Sequence, residues 1–292
     1  MDKARGIFDL MRIRYILFLN IPFILAAFIL ARNFDLGLIL FICLSYFLSH
    51  FFVNAINDLY DIEADKVHPV KSIENPITSG KISFKDAKYT TALLPFLALL
   101  FAFPTNLIWF SAVLFFIFLG WSYSAPPIRT RARPWGFLTN ETLGSSIAFI
   151  WAYWAVKPPQ SNWPFWIIPI ALFIFFSHAI IVSKDLPDID PDGKAGFKNF
   201  SAAYGVKATQ RFVVLSVVAT FIIYFYLLAN HVFSIISLPF AIIGTFLPLR
   251  NISKPVEQIT DRYLIYQRVI PASLFYSIAL TLGTFAMLFS PW

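Results

Sequence analysis

The sequence predicts an all-α, polytopic membrane protein, and three observations carry that reading. The 292 residues are 58% hydrophobic and only 13% charged, with a mean hydropathy of +0.69; soluble domains run nearer one half apolar and one quarter charged. Nine apolar runs approach the roughly 20 residues that a helix needs to cross a bilayer. The basic residues segregate to alternate loops, as topology demands of a membrane protein.

The expected spans are 14–31, 36–56, 86–103, 106–124, 136–156, 164–183, 209–229, 232–249 and 264–289. The first follows a basic N-terminus and could be mistaken for a secretory leader, but no small-x-small cleavage site follows it, so it reads as helix 1. Short polar turns such as Pro104-Thr105-Asn106 and Asn230-His231 separate neighbouring spans. Counting Lys and Arg, 21 fall on one side and only Arg32 and Lys157 on the other. The positive-inside rule then places the N-terminus in the cytoplasm and the C-terminus outside. The net charge of +7 follows from this topology and does not point to nucleic acid. The single cysteine, Cys43, excludes an intrachain disulfide. The chain reads as one integral-membrane domain, 1–292. Its pseudo-repeat halves are about 14–135 and 136–249, followed by a last helix at 264–289.

The repeat is suggested by two acidic segments. NDLYDIEAD ends at Asp65 and KDLPDIDPD ends at Asp192. Both contain D-x-x-D-x-x-x-D: Asp58, Asp61, Asp65 and, 127 residues later, Asp185, Asp188, Asp192. These segments hold eight of the 16 acidic residues, both at cytoplasmic span ends. An acid cluster at the end of an apolar helix is costly unless a cation or cavity compensates it. In the first segment Asn54, Asp58, Asp61 and Asp65 share one helical face if the helix continues past the membrane edge. In the second, Pro187 disfavours helix at Leu186 and suggests a turn for Asp188 and Asp192. Oxygen ligands without clustered His or Cys suit Mg²⁺ better than zinc. Mg²⁺ would let carboxylates hold a diphosphate they cannot bind directly. The EF-hand pattern is absent, and Ile62 after Asp61 stands where CDP-alcohol transferases need Gly. A solvated acidic loop is the plainer alternative.

Basic partners lie close by. The loop YSAPPIRTRARP carries Arg129, Arg131 and Arg133, which suit phosphate oxygens and equally satisfy topology. Tyr123 is either an interfacial anchor or a diphosphate contact. Lys71, Lys81, Lys184 and Lys194 flank the acids.

Taken together these residues resemble the UbiA superfamily of intramembrane prenyltransferases. Its first motif, N-D-x-x-D-x-x-x-D, is matched by Asn57, Asp58, Asp61 and Asp65. Its second, D-x-x-D-x-x-x-D then K-x-G, is matched by Asp185, Asp188, Asp192, Lys194 and Gly196. Its Y-S-x-P-P element is matched by Tyr123, Ser124, Pro126 and Pro127, with Arg129 and Arg131 trailing. The resemblance implies a helical bundle around a central cavity open to membrane lipid. It also implies a polyprenyl diphosphate held through Mg²⁺ by both acidic motifs, and a lipophilic acceptor attacking C1. Asp58, Asp61, Asp185, Asp188 and Tyr123 would then be catalytic, and all six aspartates would face metal. Asn54, Asn57, Lys71, Arg129, Arg131, Lys184 and Lys194 would hold substrate. The chain departs from the pattern twice. Asn75 precedes Pro76 where many members carry Arg, and Asn199-Phe200-Ser201 stands where members often carry Thr. YSAPP and PDI-x-PD are most similar to the carotenoid-modifying, lycopene-elongase-like branch, with aromatic or quinone precursors as the other acceptor class.

An ion-coupled transporter or cation channel is the rival reading. Such proteins place ionisable residues near the membrane midplane, whereas here the span interiors are almost uncharged. Cysteines introduced at Lys71, Lys157 and Lys194 test the topology. Reagent applied from outside should label only position 157; labelling of all three from one side would refute nine spans.

Overall fold

The computed structural model describes residues 3–12, 21–68, 70–136, 141–157, 182–194 and 196–252, with three further pairs at 274–275, 278–279 and 282–283. No strand occurs among them. The chain opens with α1 (Lys3–Met11) and α2 (Ile21–Ala31). α3 (Leu36–Tyr60) leads into two short helices, α4 (Ile62–Val67) and α5 (Lys71–Glu74). Next come α6 (Phe84–Ala102), α7 (Leu107–Ser124), a 3₁₀ turn at Thr130–Ala132, and α8 (Glu141–Trp154). The second acidic segment runs through α9 (Val182–Lys184) and α10 (Ile189–Lys194). α11 (Phe200–Tyr204), α12 (Val206–Ala229) and α13 (Leu238–Ile252) follow.

Four stretches are long and apolar enough to cross a bilayer: Leu36–Tyr60, Leu107–Ser124, Val206–Ala229 and Ile235–Ile252. The expected spans at 14–31 and 136–156 appear as the shorter helices α2 and α8, and that at 86–103 as α6, which at 19 residues is long enough but less apolar. Those at 164–183 and 264–289 fall largely outside the described residues.

Local chemistry starts the helices where the sequence allows. Asp35 accepts from Leu38 N, Ser83 from Asp86 N and Asn106 from Trp109 N, so each supplies an oxygen to amides that have no partner inside the helix. α3 then packs against α6 and α7, α2 against α8, and α12 against α13. Large side chains such as Leu36, Phe96, Leu107 and Ile222 turn outward, while Ala98, Ala102, Ala112, Ala148 and Ala152 are buried. Lipid tails are as apolar as leucine, so small residues that let backbones approach are what draw membrane helices together. A polar tie deep in this packing is satisfied: Trp109 Nε1 donates to Ser45 Oγ at 2.8 Å.

The first acidic segment is not one continuous helix. α3 ends at Tyr60, and Asp61 caps it with φ −101° and ψ 2° before α4 begins. The expected single stripe of Asn54, Asp58, Asp61 and Asp65 is therefore broken at Asp61. In the second segment the turn expected at Asp188 is present, but Asp192 lies within α10. α4 packs against α10, and this contact brings together segments that are more than a hundred residues apart in the chain.

A close approach of α7 to α3 depends on Gly120 of α7. A Cβ there would stand 2.4 Å from Val53 Cγ2 on α3. Gly120→Ala should therefore cost about 1–3 kcal/mol, the usual range for overpacking, read as a lower unfolding midpoint in detergent. Adding Val53→Ala should recover part of the loss; no recovery would place the strain elsewhere.

Candidate active site

A polar cleft lies where the end of α3, α5, α10 and the arginine loop meet. Asp185, Asp188 and Asp192 line it from the second segment, and Asn57 and Lys71 from the first. Tyr123, Arg131, Arg133 and Asn199 complete the wall.

Asp58, Asp61, Asp65, Asp188 and Asp192 are buried and Asp185 is partly so, and cations meet several of them. Arg12, at the end of α1, reaches Asp58 at 2.5 Å. Lys71 reaches Asp188 at 2.5 Å. Arg131 bridges the two segments, pairing with Asp61 and lying 3.3 Å from Asp192. Arg129, held at φ 37°, donates to Tyr60 O at 2.8 Å and stands 3.5 Å from Asp61. Both guanidinium groups lie over the ring of Phe197, at 4.4 and 5.2 Å from its centroid, within the range of a cation–π attraction. Asn57 Nδ2 donates to Asp61 Oδ2 at 2.7 Å.

His68 ties the first loop to the second segment. Its Nδ1 accepts from Val70 N at 3.1 Å and Lys71 N at 3.0 Å. That atom therefore carries no proton, which leaves Nε2 as the protonated nitrogen. Nε2 stands 3.3 Å from Asp188 Oδ1, short of hydrogen-bond geometry.

Electrostatics follow from this layout. Burial opposes the charge on Lys71, but the carboxylates of Asp188, Asp65 and Asp192 outweigh it and hold the ammonium above the ordinary lysine value. Burial likewise opposes the Asp188 carboxylate, yet Lys71 and His68 hold it below the ordinary range. Burial pushes Asp65 up. Burial and the neighbouring Asp188 carboxylate push Asp192 up. A site with several half-compensated acids favours an added cation.

The residues fit a divalent cation. Asp58 Oδ2 and Asp188 Oδ1 are buried oxygens without a hydrogen-bond partner, and buried oxygens of this kind are normally satisfied. Among the described residues no three acidic, histidine or cysteine side chains converge on one point. Mg²⁺ suits such a site, because it is usually held by one or two carboxylates together with substrate phosphates.

Some expected residues stand apart from this wall. Asn54 donates to Met11 O at 3.3 Å and so ties α3 to α1. Lys194 is exposed at the end of α10. The Lys184 side chain lies outside the described residues. Lys81 pairs with Asp9 of α1 at 3.0 Å rather than with the acids. Sequence reading missed Arg12 as a partner of Asp58, and missed His68 and Phe197 altogether. Arg12 lies 46 residues from Asp58 and counted only toward topology. His68 beside Pro69, just past Asp65, was the available signal for the second.

Asp58 is 1% exposed and Arg12 about one-third exposed. Removing one partner of a fully buried pair costs about 3–5 kcal/mol. With Arg12 partly solvated, Arg12→Met should cost about 2 kcal/mol. Asp58→Asn added to that variant should recover most of the loss, as measured by unfolding in detergent; an undiminished loss would mean Arg12 acts by packing.

Comparison with known proteins bears on the family and the fold. The UbiA prenyltransferase family matches residues 20–267. The chain spans about half the length of the first curated relatives it matches, 40% to 53% of each. It is 31% identical over 206 residues to the digeranylgeranylglyceryl phosphate synthase of Methanococcus aeolicus, covering 70% of each chain. It is 27% identical over 171 residues to the lycopene elongase/hydratase of Haloarcula japonica, covering 56% of this chain and 53% of the relative. Its fold is similar to that of a UbiA homologue from Archaeoglobus fulgidus bound to GPP and Mg²⁺, with a TM-score of 0.69 and 22% identity over 94% of this chain and 99% of that one. With the family matched across most of its length and the two acidic segments packed together, the chain belongs to the UbiA prenyltransferase family.

Proposed function

We propose that the chain transfers a prenyl group from an allylic polyprenyl diphosphate to a lipophilic acceptor within the membrane, in a Mg²⁺-dependent reaction. The observation that carries this reading is the convergence of Asp188 and Asp192 with Asn57, Lys71, Tyr123 and Arg131 on one cleft, at the ends of apolar helices. A diphosphate fits the cations and a prenyl tail fits the bundle. Asp58, Asp61, Asp65, Asp185, Asp188 and Asp192 would hold the metal. Mg²⁺ supplies charge neutralisation for the departing diphosphate and a bridge to the carboxylates. Lys71, Arg129 and Arg131 would offer donors to phosphate oxygens, and the Tyr123 hydroxyl would serve the same task.

In this reaction the C1–O bond of the donor breaks and the diphosphate leaves with the electron pair. An electron pair of the acceptor forms the new bond to C1, and the acceptor then loses a proton. The acceptor class is carotenoid-like or an aromatic or quinone precursor, supported by the YSAPP element and by the carotenoid enzyme among the relatives. The donor loops face the cytoplasm, as the charge split supports.

Purified protein in lipid vesicles should release pyrophosphate from an allylic diphosphate only when both Mg²⁺ and an acceptor are present, with the prenylated product seen by mass spectrometry. Absence of Mg²⁺-dependent release with every allylic chain length would overturn the reading. Asp58→Ala, Asp61→Ala, Asp185→Ala and Asp188→Ala should each lower turnover at least about a hundredfold, the scale of losing one charge-stabilising contact. Near-normal turnover of the Asp61 and Asp185 variants at saturating Mg²⁺ would rule out the metal assignment.

A further inference from the structure

Two asparagines outside the acidic motifs make the same contact, one in each segment. Asn75 and Asn199 are 2% and 4% exposed. The Oδ1 of each is occupied by a backbone N–H, from Ile77 at 2.9 Å and from Ala202 at 2.7 Å. With the oxygen so committed, the amide nitrogen must face the other way. It donates to Asp65 Oδ2 at 2.8 Å, and also to Asp58 O at 3.1 Å, in the first case, and to Asp192 Oδ2 at 2.7 Å in the second. Asp65 and Asp192 are the last aspartates of the two repeated patterns. Both asparagines also stand where this chain departs from its family's pattern.

We propose that Asn75 and Asn199 are a matched pair of positioning residues, each locking the final aspartate of its acidic segment in one orientation for a divalent cation. The inference rests on the cleft being a metal site. A neutral donor suits the task. Asp192 has Arg131 at 3.3 Å, and Lys71 sits among the carboxylates. A second arginine or lysine would hold the carboxylate but offset its charge. An amide holds it and leaves the full negative charge for the metal. Because each amide is anchored to the backbone through its oxygen, the donor does not rotate away.

Serine separates the two halves of the contact. Asn75→Ser and Asn199→Ser keep an oxygen for the turn and the helix cap but lose the amide donor. The probe is Mn²⁺ alone, titrated into detergent-solubilised protein, with free ion read by electron paramagnetic resonance. Each variant should bind Mn²⁺ about tenfold more weakly, the lower end for losing a partner of a metal ligand. The unfolding midpoint in metal-free buffer should fall by a few degrees, since a buried carboxylate loses a donor, with the variant still folded. Turnover should recover at saturating Mg²⁺, so that the half-saturating Mg²⁺ concentration shifts and kcat does not. Wild-type protein that fails to bind Mn²⁺ defeats the metal-site reading itself. Wild-type binding with unchanged affinity in both variants overturns the positioning role alone, and weakening in only one overturns the matched pair. A serine variant that does not fold is replaced by threonine, which offers the same cap. Loss of the fold with threonine too makes the residue structural and overturns the proposal there.

Discussion

The constraint on which the rest of the structure depends is charge balance at the edge of an apolar bundle. Buried carboxylates lose hydration that nothing apolar replaces, so each needs a cation or donors close by. The fold meets this with side chains drawn from distant parts of the chain: Arg12 for Asp58, Lys71 for Asp188, and Arg131 for Asp61 and Asp192. These pairs tie α1, the first acidic loop, the arginine loop and the second acidic loop into one unit.

Breaks in regular structure make that unit possible. Had α3 continued through Asp61, its carboxylates would have projected along one straight face. Ending it at Tyr60 lets α4 turn away from the α3 axis and pack on α10. The non-helical turn around Pro187 does the same for the second segment, since a residue before proline avoids the helical region. The apolar helices thus serve as a frame, and the short helices at their ends carry the chemistry.

How much of this was legible varies with the range of the interaction. The all-α class, the clustering of basic residues in alternate loops and the two acidic segments follow from composition and spacing. Asn75 and Asn199 were visible only as departures from a pattern; their contacts with Asp65 and Asp192 appear once the loops are folded. Arg12 was counted for topology, and nothing local to it points to Asp58. Lys81 looked like a neighbour of the acids, yet it pairs with Asp9 because α1 docks beside it.

By itself, then, the sequence determined that this chain is a bundle of apolar helices with two matched groups of aspartates at their ends. Hydropathy and charge placement are properties of single segments and need no partner to be read. Only the tertiary structure decided which cation faces which carboxylate, where the helix breaks, and which neutral donors hold Asp65 and Asp192. Those choices rest on contacts between residues tens to more than a hundred positions apart. A contact of that kind depends on packing distance, which a one-dimensional pattern does not contain.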